Sequence, residues 1–435
     1  MGKKVVEQEI RKDFFETVMA QHDLALAMKP LSFMKGMIAE GIKKPTEKSE
    51  IKNILKKSNC VIRGGASTPT ASVLPHEGET ILSTTNMQGI SIKKKYADIQ
   101  AGTPFYKIIH AAKQEHLEVP SYPVTYHTAT IGGYIANNGL IGLNSRGTGY
   151  LQEYIEELEV VTTAGITYKV RGKDILDFFG SEGTLGVITK VRMKLLEKET
   201  RYIHMYGFEG AEDMMRFFEQ NDDIYIAYFM NHIAAKQFSE EWQQKFIPEY
   251  TLLVIDKNWR DDYKETEQGI STELARKGVS YIYPKDVVKY CFRHIGTFEL
   301  SIGSKKNNMH IADGIVKYEN LMKTLTLAHK NKLPLFANLG KKEALYRIYA
   351  NAGNIIKKQK FMSLMDKFYA HSEPNCSGSF FRKYLENTKR FKRLAEAKDK
   401  YQLKDTIVPR LQLYPNSSQR LLFRGILNLL GGNLW

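Results

Sequence analysis

The spacing of apolar and polar positions divides the chain into stretches of different character. From about Val5 to Ile42, apolar residues recur among charged ones at helical spacing, which predicts one or two amphipathic helices. From Lys43 to Leu196, short strand-like runs alternate with turn residues and with helical stretches at Glu47–Lys57 and Thr103–Glu115. The predicted strands are Cys60–Ile62, Thr80–Ser83, Asp98–Ala101, Glu157–Thr162 and Val187–Leu195. This mixture predicts an α+β domain.

The pattern changes near residue 197, where longer helices mix with strands. Strands are predicted at Thr251–Asp256, Ser280–Tyr283 and Gly314–Val316. A strongly basic helical stretch, Phe380–Tyr401, comes next. The expected units are therefore an N-terminal helical segment (1–42), a first α+β domain (43–196), a second α+β domain (197–380) and a basic helical C-terminal segment (381–435).

The C-terminal tail has an amphipathic pattern of its own. In Gln419–Leu430, most leucines gather along one side of a predicted helix, with Arg420 and Arg424 beside them. Such a helix can lie in an anionic membrane interface or dock on a partner. It can equally pack on the chain's own core, so a peripheral contact with the inner face of the membrane remains one of three alternatives.

Composition narrows the class of protein. The chain has 435 residues, 43% of them hydrophobic and 26% charged, as in globular proteins. It lacks a run of ~20 apolar residues, the length that a membrane-spanning helix needs. The start, MGKKVVEQEIRKDFFE, has charges where a secretory signal needs apolar residues, so a cytoplasmic location is predicted.

The net charge and the cysteine content limit the kinds of partner that the protein is expected to have. The formal net charge of +15 favours anionic partners, but the sequence has no zinc-finger spacing or other nucleic-acid module, so nucleic acid is not expected. The three cysteines lie far apart without a CxxC pair, which argues against a disulfide framework or an iron–sulfur site. If electrons leave this protein, the next electron carrier is therefore expected to be on another chain.

A glycine pair follows the first strand of the α+β domain. The strand Cys60–Ile62 continues into Arg63-Gly64-Gly65-Ala66-Ser67-Thr68-Pro69, where small residues let the backbone approach a ligand and turn its N–H groups inward. Such a nest suits a pyrophosphate. The loop matches neither GxxxxGK[ST] nor GxGxxG, and a glycine pair after a strand is more often only a tight turn.

Two later segments change this interpretation. Tyr122-Pro123 precedes the string Thr128-ATIGGYIANN, and Asp177-FFG leads into Ser181-EGTLGVIT. The three segments, in this order and at this separation, resemble the FAD-binding domain of the vanillyl-alcohol oxidase/p-cresol methylhydroxylase superfamily. Within it, the chain looks most like the branch of the glycolate oxidase D-subunit, D-lactate dehydrogenase and D-2-hydroxyglutarate dehydrogenase. The resemblance covers roughly Pro45 to Leu195.

The resemblance implies a fold and a cofactor. The fold is α+β: a PCMH-type FAD-binding domain, an α+β substrate (cap) domain and a helical C-terminal segment. Some relatives attach FAD through a histidine in the first loop, but this loop has Ala66, Ser67 and Thr68 instead, so the FAD is expected to be non-covalent. The implied FAD contacts are Arg63, Gly64, Gly65, Ala66, Ser67, Thr68, Pro69, Pro123, Ala129, Thr130, Gly132, Gly133, Asn137, Glu182, Gly183, Thr184, Gly186, Val187 and Ile188.

The second domain is less informative about catalysis. Val287-VKYCFRHIGTFEL resembles the helix that supplies a substrate-binding arginine, which makes Arg293 a catalytic candidate. His310 is the accompanying candidate, although lone histidines are more often packing or surface residues. The metal-binding histidine string of this branch is replaced by Phe336-ANLGKKEAL, with asparagine and leucine at ligand positions, so no metal site is expected.

Three hypotheses remain open. The leading one is an FAD-dependent dehydrogenase that moves a hydride from a small hydroxy-acid-like substrate to FAD and passes electrons to a partner protein or quinone. The second is a flavoenzyme similar to alkyldihydroxyacetonephosphate synthase, acting on a phosphorylated or lipid-like substrate. The third is a non-catalytic FAD-binding subunit.

Overall fold

The computed structural model describes residues 39–67, 73, 75, 78–236, 247–256, 270, 272–292, 309–351, 355–375, 388–401 and 403. The predicted helices before residue 39 and the predicted tail helix Gln419–Leu430 lie outside these residues, as do Thr68, Pro69 and Arg293. Within the described ranges, no helix combines the length and apolar character that crossing a bilayer requires.

A small parallel sheet opens the described part. It contains β1 (Gly41–Lys43), β2 (Asn59–Arg63) and β3 (Glu79–Ser83) in the order β1-β3-β2, with helix α1 (Lys48–Lys57) between β1 and β2. The helix predicted to run to Ile42 is wrong at its end, because residues 41–43 pair with Thr80–Leu82 of β3. Since β3 is buried along its whole length, pairing on both of its edges overrides the local helical spacing.

An antiparallel sheet completes the first domain. Its five strands have the order β4-β5-β9-β7-β8, and a short pair, β6 with β10, lies apart. In chain order the elements are β4 (Ile90–Lys93), β5 (Tyr96–Gln100), α2 (Phe105–Gln114), β6 (Leu117–Glu118), α3 (Ile131–Ala136), α4 (Ser145–Thr148), β7 (Ile155–Thr162), β8 (Thr167–Arg171), α5 (Ile175–Phe178), β9 (Gly186–Lys194) and β10 (Leu196–Glu197). The strands and helices predicted in this domain are thus confirmed within a few residues of their ends.

The second domain is built on an eight-stranded sheet with the order β14-β11-β13-β12-β16-β17-β15-β18. Its elements are β11 (Tyr202–Phe208), α6 (Ala211–Glu219), β12 (Ile224–Asn231), α7 (His232–Lys236), β13 (Tyr250–Asp256), α8 (Thr272–Arg276), β14 (Tyr281–Ile282), β15 (Met309–Lys317), α9 (Tyr318–Lys330), β16 (Leu335–Leu339), β17 (Glu343–Asn351), α10 (Ile355–Tyr369) and β18 (Glu373–Pro374). Residues 285–292 are also helical.

The two faces of this sheet have different neighbours. Alternate residues of the strands pack in one apolar cluster with Phe217 of α6, Leu321 of α9 and Phe368 of α10. The opposite face forms another cluster that includes Val124 and Leu143 of the first domain. Helices therefore cover one face of the second domain, and the first domain covers part of the other.

Polar contacts reinforce the contact between the domains. Arg201 donates to Glu118 of β6 (2.7 Å), and the Tyr225 hydroxyl of β12 donates to the same carboxylate (2.9 Å). The Tyr150 hydroxyl donates to Glu343 of β17 at 2.9 Å. These bonds fix the first domain against the sheet of the second.

The last described helix, α11 (Lys389–Lys400), returns to the first domain. Leu394 and Ala397 are buried in that domain's core, and Lys400 lies 3.0 Å from the carboxylate of Asp177. The basic helix predicted within Phe380–Tyr401 is thus present from Lys389, and it packs on the first domain.

Candidate functional site

The glycine loop after β2 packs directly on the second of the three segments singled out in the sequence, Thr128–Asn138. A Cβ atom on Gly65 would lie 1.8 Å from the carbonyl oxygen of Thr128, and one on Gly64 would lie 2.4 Å from Oγ1 of Thr130. Thr130 also caps α3, since its hydroxyl oxygen accepts a hydrogen bond from the Gly133 N–H at 3.3 Å. Only residues without a side chain allow this approach of the two backbones.

The third segment joins the same place through backbone hydrogen bonds. The Glu182 N–H donates to the Ala136 carbonyl at 2.8 Å, and the Gly180 N–H donates to the Ile135 carbonyl at 3.2 Å. Gly186 has a φ of 148°, and a Cβ there would lie 2.5 Å from the carbonyl oxygen of Val161. All three segments singled out in the sequence therefore meet around α3.

A cavity lies where these segments face the second domain. The space between them is about 1380 Å³ when the solvent at its open mouth is included. The predicted residues that line it are Gly64, Gly65, Ala66, Ser67, Pro123, Ala129, Thr130, Gly132, Gly133, Asn137, Glu182, Gly183, Gly186 and Ile188. The second domain contributes Asp313, Leu345, Arg347, Tyr349 and Asn375. The cavity is therefore a site between the domains.

Three predicted contact residues lie outside the lining. Arg63 ends β2, and Thr184 is buried with its hydroxyl donating to the Ser181 carbonyl at 2.6 Å. Val187 packs in a small core with Leu82 and Val161. Their direct contact with a cofactor stays a prediction, as it does for Thr68 and Pro69 beyond the described residues.

The wall from the second domain was not predicted from the sequence. Asp313 of β15 stands opposite Arg347 of β17 in the strand register. Asn375 donates to the Asp313 carboxylate at 3.2 Å, and Asn138 of the first domain donates to the Asn375 carbonyl at 3.0 Å. Arg390 of α11 donates to the same carbonyl oxygen. The one feature of the sequence that could have indicated this wall was the presence of charged residues within otherwise apolar strands.

The structure does not describe the side chains of the two catalytic candidates from the sequence. Arg293 lies outside the described residues. His310 stands in β15 opposite Ala350, three positions before Asp313, and only its backbone is described. The roles of both residues remain predictions.

The asparagine and leucine at the positions where the resembled dehydrogenase branch has metal ligands lie opposite each other in the sheet. Asn338 of β16 is the register partner of Leu345 of β17, and neither the Leu side chain nor a single amide offers a metal site. In the part of the chain that the structure describes, no group of three or more His, Cys, Asp or Glu residues is arranged to hold a metal ion.

The cavity also bears on how a flavin would be attached. Neither histidine nor cysteine occurs among the described lining residues. The nearest thiol in sequence, Cys60 of β2, has its pKa raised to about 11 by burial and by the charge of Glu79, so it remains a protonated thiol at neutral pH. The described residues of the lining therefore include no side chain of the kind that usually forms a covalent link to a flavin.

The backbone chemistry of the cavity fits FAD. Its first-domain side is formed by glycines and by Ser67 and Thr130, which let backbone and hydroxyl groups approach a diphosphate. A side chain at Gly64 or Gly65 would collide with the neighbouring segment.

Comparison with known proteins agrees with this fit. A family model described as an FAD binding domain matches residues 39–171. The chain is 32% identical over 189 residues to a D-lactate dehydrogenase of Archaeoglobus fulgidus, covering 40% of this chain and 42% of that protein. It is 30% identical over 210 residues to the glycolate oxidase subunit GlcD of Bacillus subtilis, covering 45% of this chain and 42% of the relative. The matches thus span less than half of these relatives.

The fold extends further than the sequence similarity. A solved structure of alkyldihydroxyacetonephosphate synthase superposes with a TM-score of 0.58 at 16% identity, covering 77% of this chain and 71% of that one. This likeness includes the second domain but concerns the fold alone. The family match and the geometry of the three segments show that the first part of the chain, over residues 39–171, is an FAD binding domain.

Proposed function

We propose that this chain is an FAD-dependent oxidoreductase, a dehydrogenase that oxidises a small hydroxy-acid-like substrate. The observation that carries the proposal is the cavity between the domains, which has a glycine-rich cofactor side and a charged wall opposite. When bound, FAD supplies the acceptor for the hydride that leaves the substrate. The relatives named as D-lactate dehydrogenase and glycolate oxidase subunit support this class of substrate.

In this proposal each side of the cavity has its own task. The backbone of Gly64–Ser67 and the hydroxyl of Thr130 hold the dinucleotide, since small residues there let N–H groups reach the pyrophosphate. Asp313 and Arg347 face the substrate from the second domain. A cation can bind a carboxylate, and a carboxylate can accept the proton of a hydroxyl group.

The FAD is proposed to be non-covalent and reoxidised by a separate carrier. The first loop has Ala66 and Ser67 where a covalently linked relative has a histidine, and the cavity lining described above lacks histidine and cysteine. The sequence has no cysteine spacing for an iron–sulfur cluster. Electrons would therefore pass from the flavin to a partner protein or a quinone.

One observation favours a second candidate. The structural likeness to alkyldihydroxyacetonephosphate synthase extends over 77% of the chain, further than the sequence matches with the dehydrogenases. A phosphorylated or lipid-like substrate would also suit the net charge of +15. In that case the flavin would take part without net oxidation of the substrate.

Anaerobic reduction of the bound flavin separates these candidates. The FAD-loaded protein is mixed without oxygen with a panel of 2-hydroxy acids and, separately, with phosphorylated polyols and acyl dihydroxyacetone phosphates. We expect at least one 2-hydroxy acid to bleach the visible flavin band, and an added electron acceptor to restore it. If FAD binds but no hydroxy acid bleaches it, the dehydrogenase proposal fails and a non-catalytic FAD subunit or the second candidate takes its place.

A further inference from the structure

A row of aromatic rings lies at the surface of the first domain. The ring centroids of Tyr126 and His127 are 4.2 Å apart, and the ring of Tyr106 in α2 lies 6.4 Å from that of His127. At the inner end of the row, Tyr122 meets Tyr126 edge to face at 5.9 Å. His127 is exposed, and Tyr106 keeps 42% of its surface in solvent. The row therefore ends in rings that a molecule from solvent can reach.

The turn that carries this row also borders the cavity. Thr125 and Ala129, at the two ends of the turn, line the cavity. Between them, the Thr128 carbonyl packs so closely on Gly65, another lining residue, that a Cβ on the glycine would lie 1.8 Å from its oxygen. His127, in the middle of the turn, is exposed. The same turn therefore faces the cavity on one side and presents aromatic rings to solvent on the other.

Backbone hydrogen bonds hold the turn and α2 together. The Tyr106 N–H donates to the Tyr126 carbonyl at 3.0 Å, and the Phe105 N–H donates to the Ala129 carbonyl at 3.0 Å. The Phe105 side chain is fully buried and anchors the start of α2. The backbones that carry the Tyr106 and His127 rings are thus fixed relative to each other before any ligand binds, which lowers the entropic cost of binding.

Hydrogen-bond donors surround the exposed rings. His110 is exposed and lies one helical turn after Tyr106, on the same side of α2. Lys107, also exposed, donates to the Gln88 side chain at 2.7 Å, and its ammonium group has two further hydrogens. Thr128 adds an exposed hydroxyl group. The surface therefore combines aromatic faces with N–H and O–H groups.

We propose that the aromatic surface formed by Tyr106, His110 and His127 is the docking site of the electron acceptor, and that this acceptor is a quinone. The inference rests on the proposed flavin-dependent oxidation and names the carrier that restores the oxidised flavin. A quinone ring is planar and electron-poor, so it stacks on a tyrosine ring. Its two carbonyl oxygens accept hydrogen bonds from donors beside the rings.

A small acceptor fits this surface better than a protein carrier does. A stable protein interface covers ~800 Å² on each partner and has an apolar, aromatic centre. In the part of the first domain that the structure describes, the other exposed large apolar side chain is Ile166, in the turn between β7 and β8. The described surface beside the cavity thus offers aromatic area for one ring system and lacks a continuous apolar patch.

The exchange of electrons and protons balances with this acceptor. The reduced flavin gives up two electrons and two protons and returns to its oxidised form. The quinone takes up the two electrons and two protons and becomes a hydroquinone. Because the docking surface is exposed, the protons can pass through water at the surface, whereas the electrons cross the turn between the cavity and the rings.

The test measures quinone binding separately from turnover. A water-soluble benzoquinone with a short side chain is titrated by calorimetry into the oxidised, FAD-loaded chain, where no electrons are transferred. Tyr106→Ala and His127→Ala each remove a ring, Tyr106→Phe keeps the ring, and Ile166→Ala removes an exposed apolar side chain as a control. The flavin is then photoreduced with EDTA without oxygen or substrate, and its reoxidation by the same quinone is followed by stopped-flow absorbance.

We expect Tyr106→Ala and His127→Ala each to weaken quinone binding about threefold to tenfold, because each removes one stacking contact. Reoxidation at low quinone concentration should slow by the same factor. Tyr106→Phe and Ile166→Ala should stay within about twofold of the wild type. FAD affinity and the unfolding midpoint should be unchanged in all four variants, since the altered side chains are exposed.

The outcomes separate this inference from the proposed substrate class. If the wild type binds the quinone but both ring variants bind it equally well, the quinone docks elsewhere and the inference is overturned. It is also overturned if the wild type binds no quinone, or if a protein carrier reoxidises the photoreduced flavin and the quinone does not. If no 2-hydroxy acid bleaches the flavin while the ring variants behave as expected, the proposed substrate class fails and the docking site stands.

Discussion

Gly65 illustrates how single residues determine the cofactor side of the cavity. Its Cα lies so close to the next segment that a Cβ would be 1.8 Å from the Thr128 carbonyl oxygen, well inside van der Waals contact. Because that atom is backbone, it cannot rotate away as a side chain could. The loop and the segment can therefore keep their relative position only with glycine here.

Gly65→Ala is accordingly expected to displace the loop and weaken FAD. Overpacking of this kind typically costs about 1–3 kcal/mol, which corresponds to a roughly tenfold or larger rise in the FAD dissociation constant if the distortion falls on the bound state. The measurement is a fluorescence titration of the apoprotein with FAD. Gly41→Ala is the control, since a Cβ there meets nothing within 4 Å. Equal FAD affinities for the two variants would refute this role of the loop.

Sequence motifs predicted one side of the cavity at the level of residues but not the other. The glycine strings are contiguous, and most of their members line the cavity as a group. Asp313, Arg347 and Asn375 come from three separate strands or strand ends, and each is an ordinary polar residue in its local sequence. Their proximity arises only when the strands pair, which short-range patterns do not encode.

At the level of elements, the predictions were more complete for the first domain than for the second. In the second domain the predicted strands Thr251–Asp256, Ser280–Tyr283 and Gly314–Val316 are confirmed by β13, β14 and β15, but other strands were not predicted. Strands of the first domain alternate or lie between turn signals, and the predictions matched their positions. In the second domain, β12 (Ile224–Asn231) and β16 (Leu335–Leu339) are buried at every position. A strand covered on both faces shows no alternation, so its apolar run cannot be distinguished from a buried helix by period alone.

Helix α11 links the two domains at the cavity. Arg390 is 9% exposed and donates to the carbonyl oxygens of Asn375 and Pro374, while the rest of the helix packs on the first domain. Since Asn375 in turn donates to Asp313, the helix supports the wall opposite the cofactor side. The basic helix predicted from the sequence thus connects the two domains.

Arg390→Met is therefore expected to destabilise the protein. Loss of a charged donor to two buried carbonyl groups is expected to cost about 1.5–3 kcal/mol in the free energy of unfolding, measured by urea denaturation. Lys392→Met removes an exposed cation two residues later and should change stability by less than about 0.5 kcal/mol. Similar values for the two variants would contradict the proposed connection.

At the level of the whole molecule, the cavity exists because two domains meet. Its lining runs from Ile62 to Asn375, so neither domain alone encloses it. Polar contacts on several sides, including Arg201 with Glu118 and Tyr150 with Glu343, keep the sheet of the second domain against the cofactor side. A ligand bound there would contact both domains. A cofactor held by the first domain and a substrate held by the second would therefore lie next to each other, as their reaction requires.

The most direct test of this account is an equilibrium titration of the apoprotein with FAD, followed by acid denaturation of the complex. The geometry predicts saturable, reversible uptake of one FAD per chain and complete release of the flavin into the acid supernatant, because the described residues of the cavity lining include neither histidine nor cysteine, the residues that usually form covalent links. A protein that takes up no FAD, or that keeps the flavin on the precipitated chain, would contradict the account.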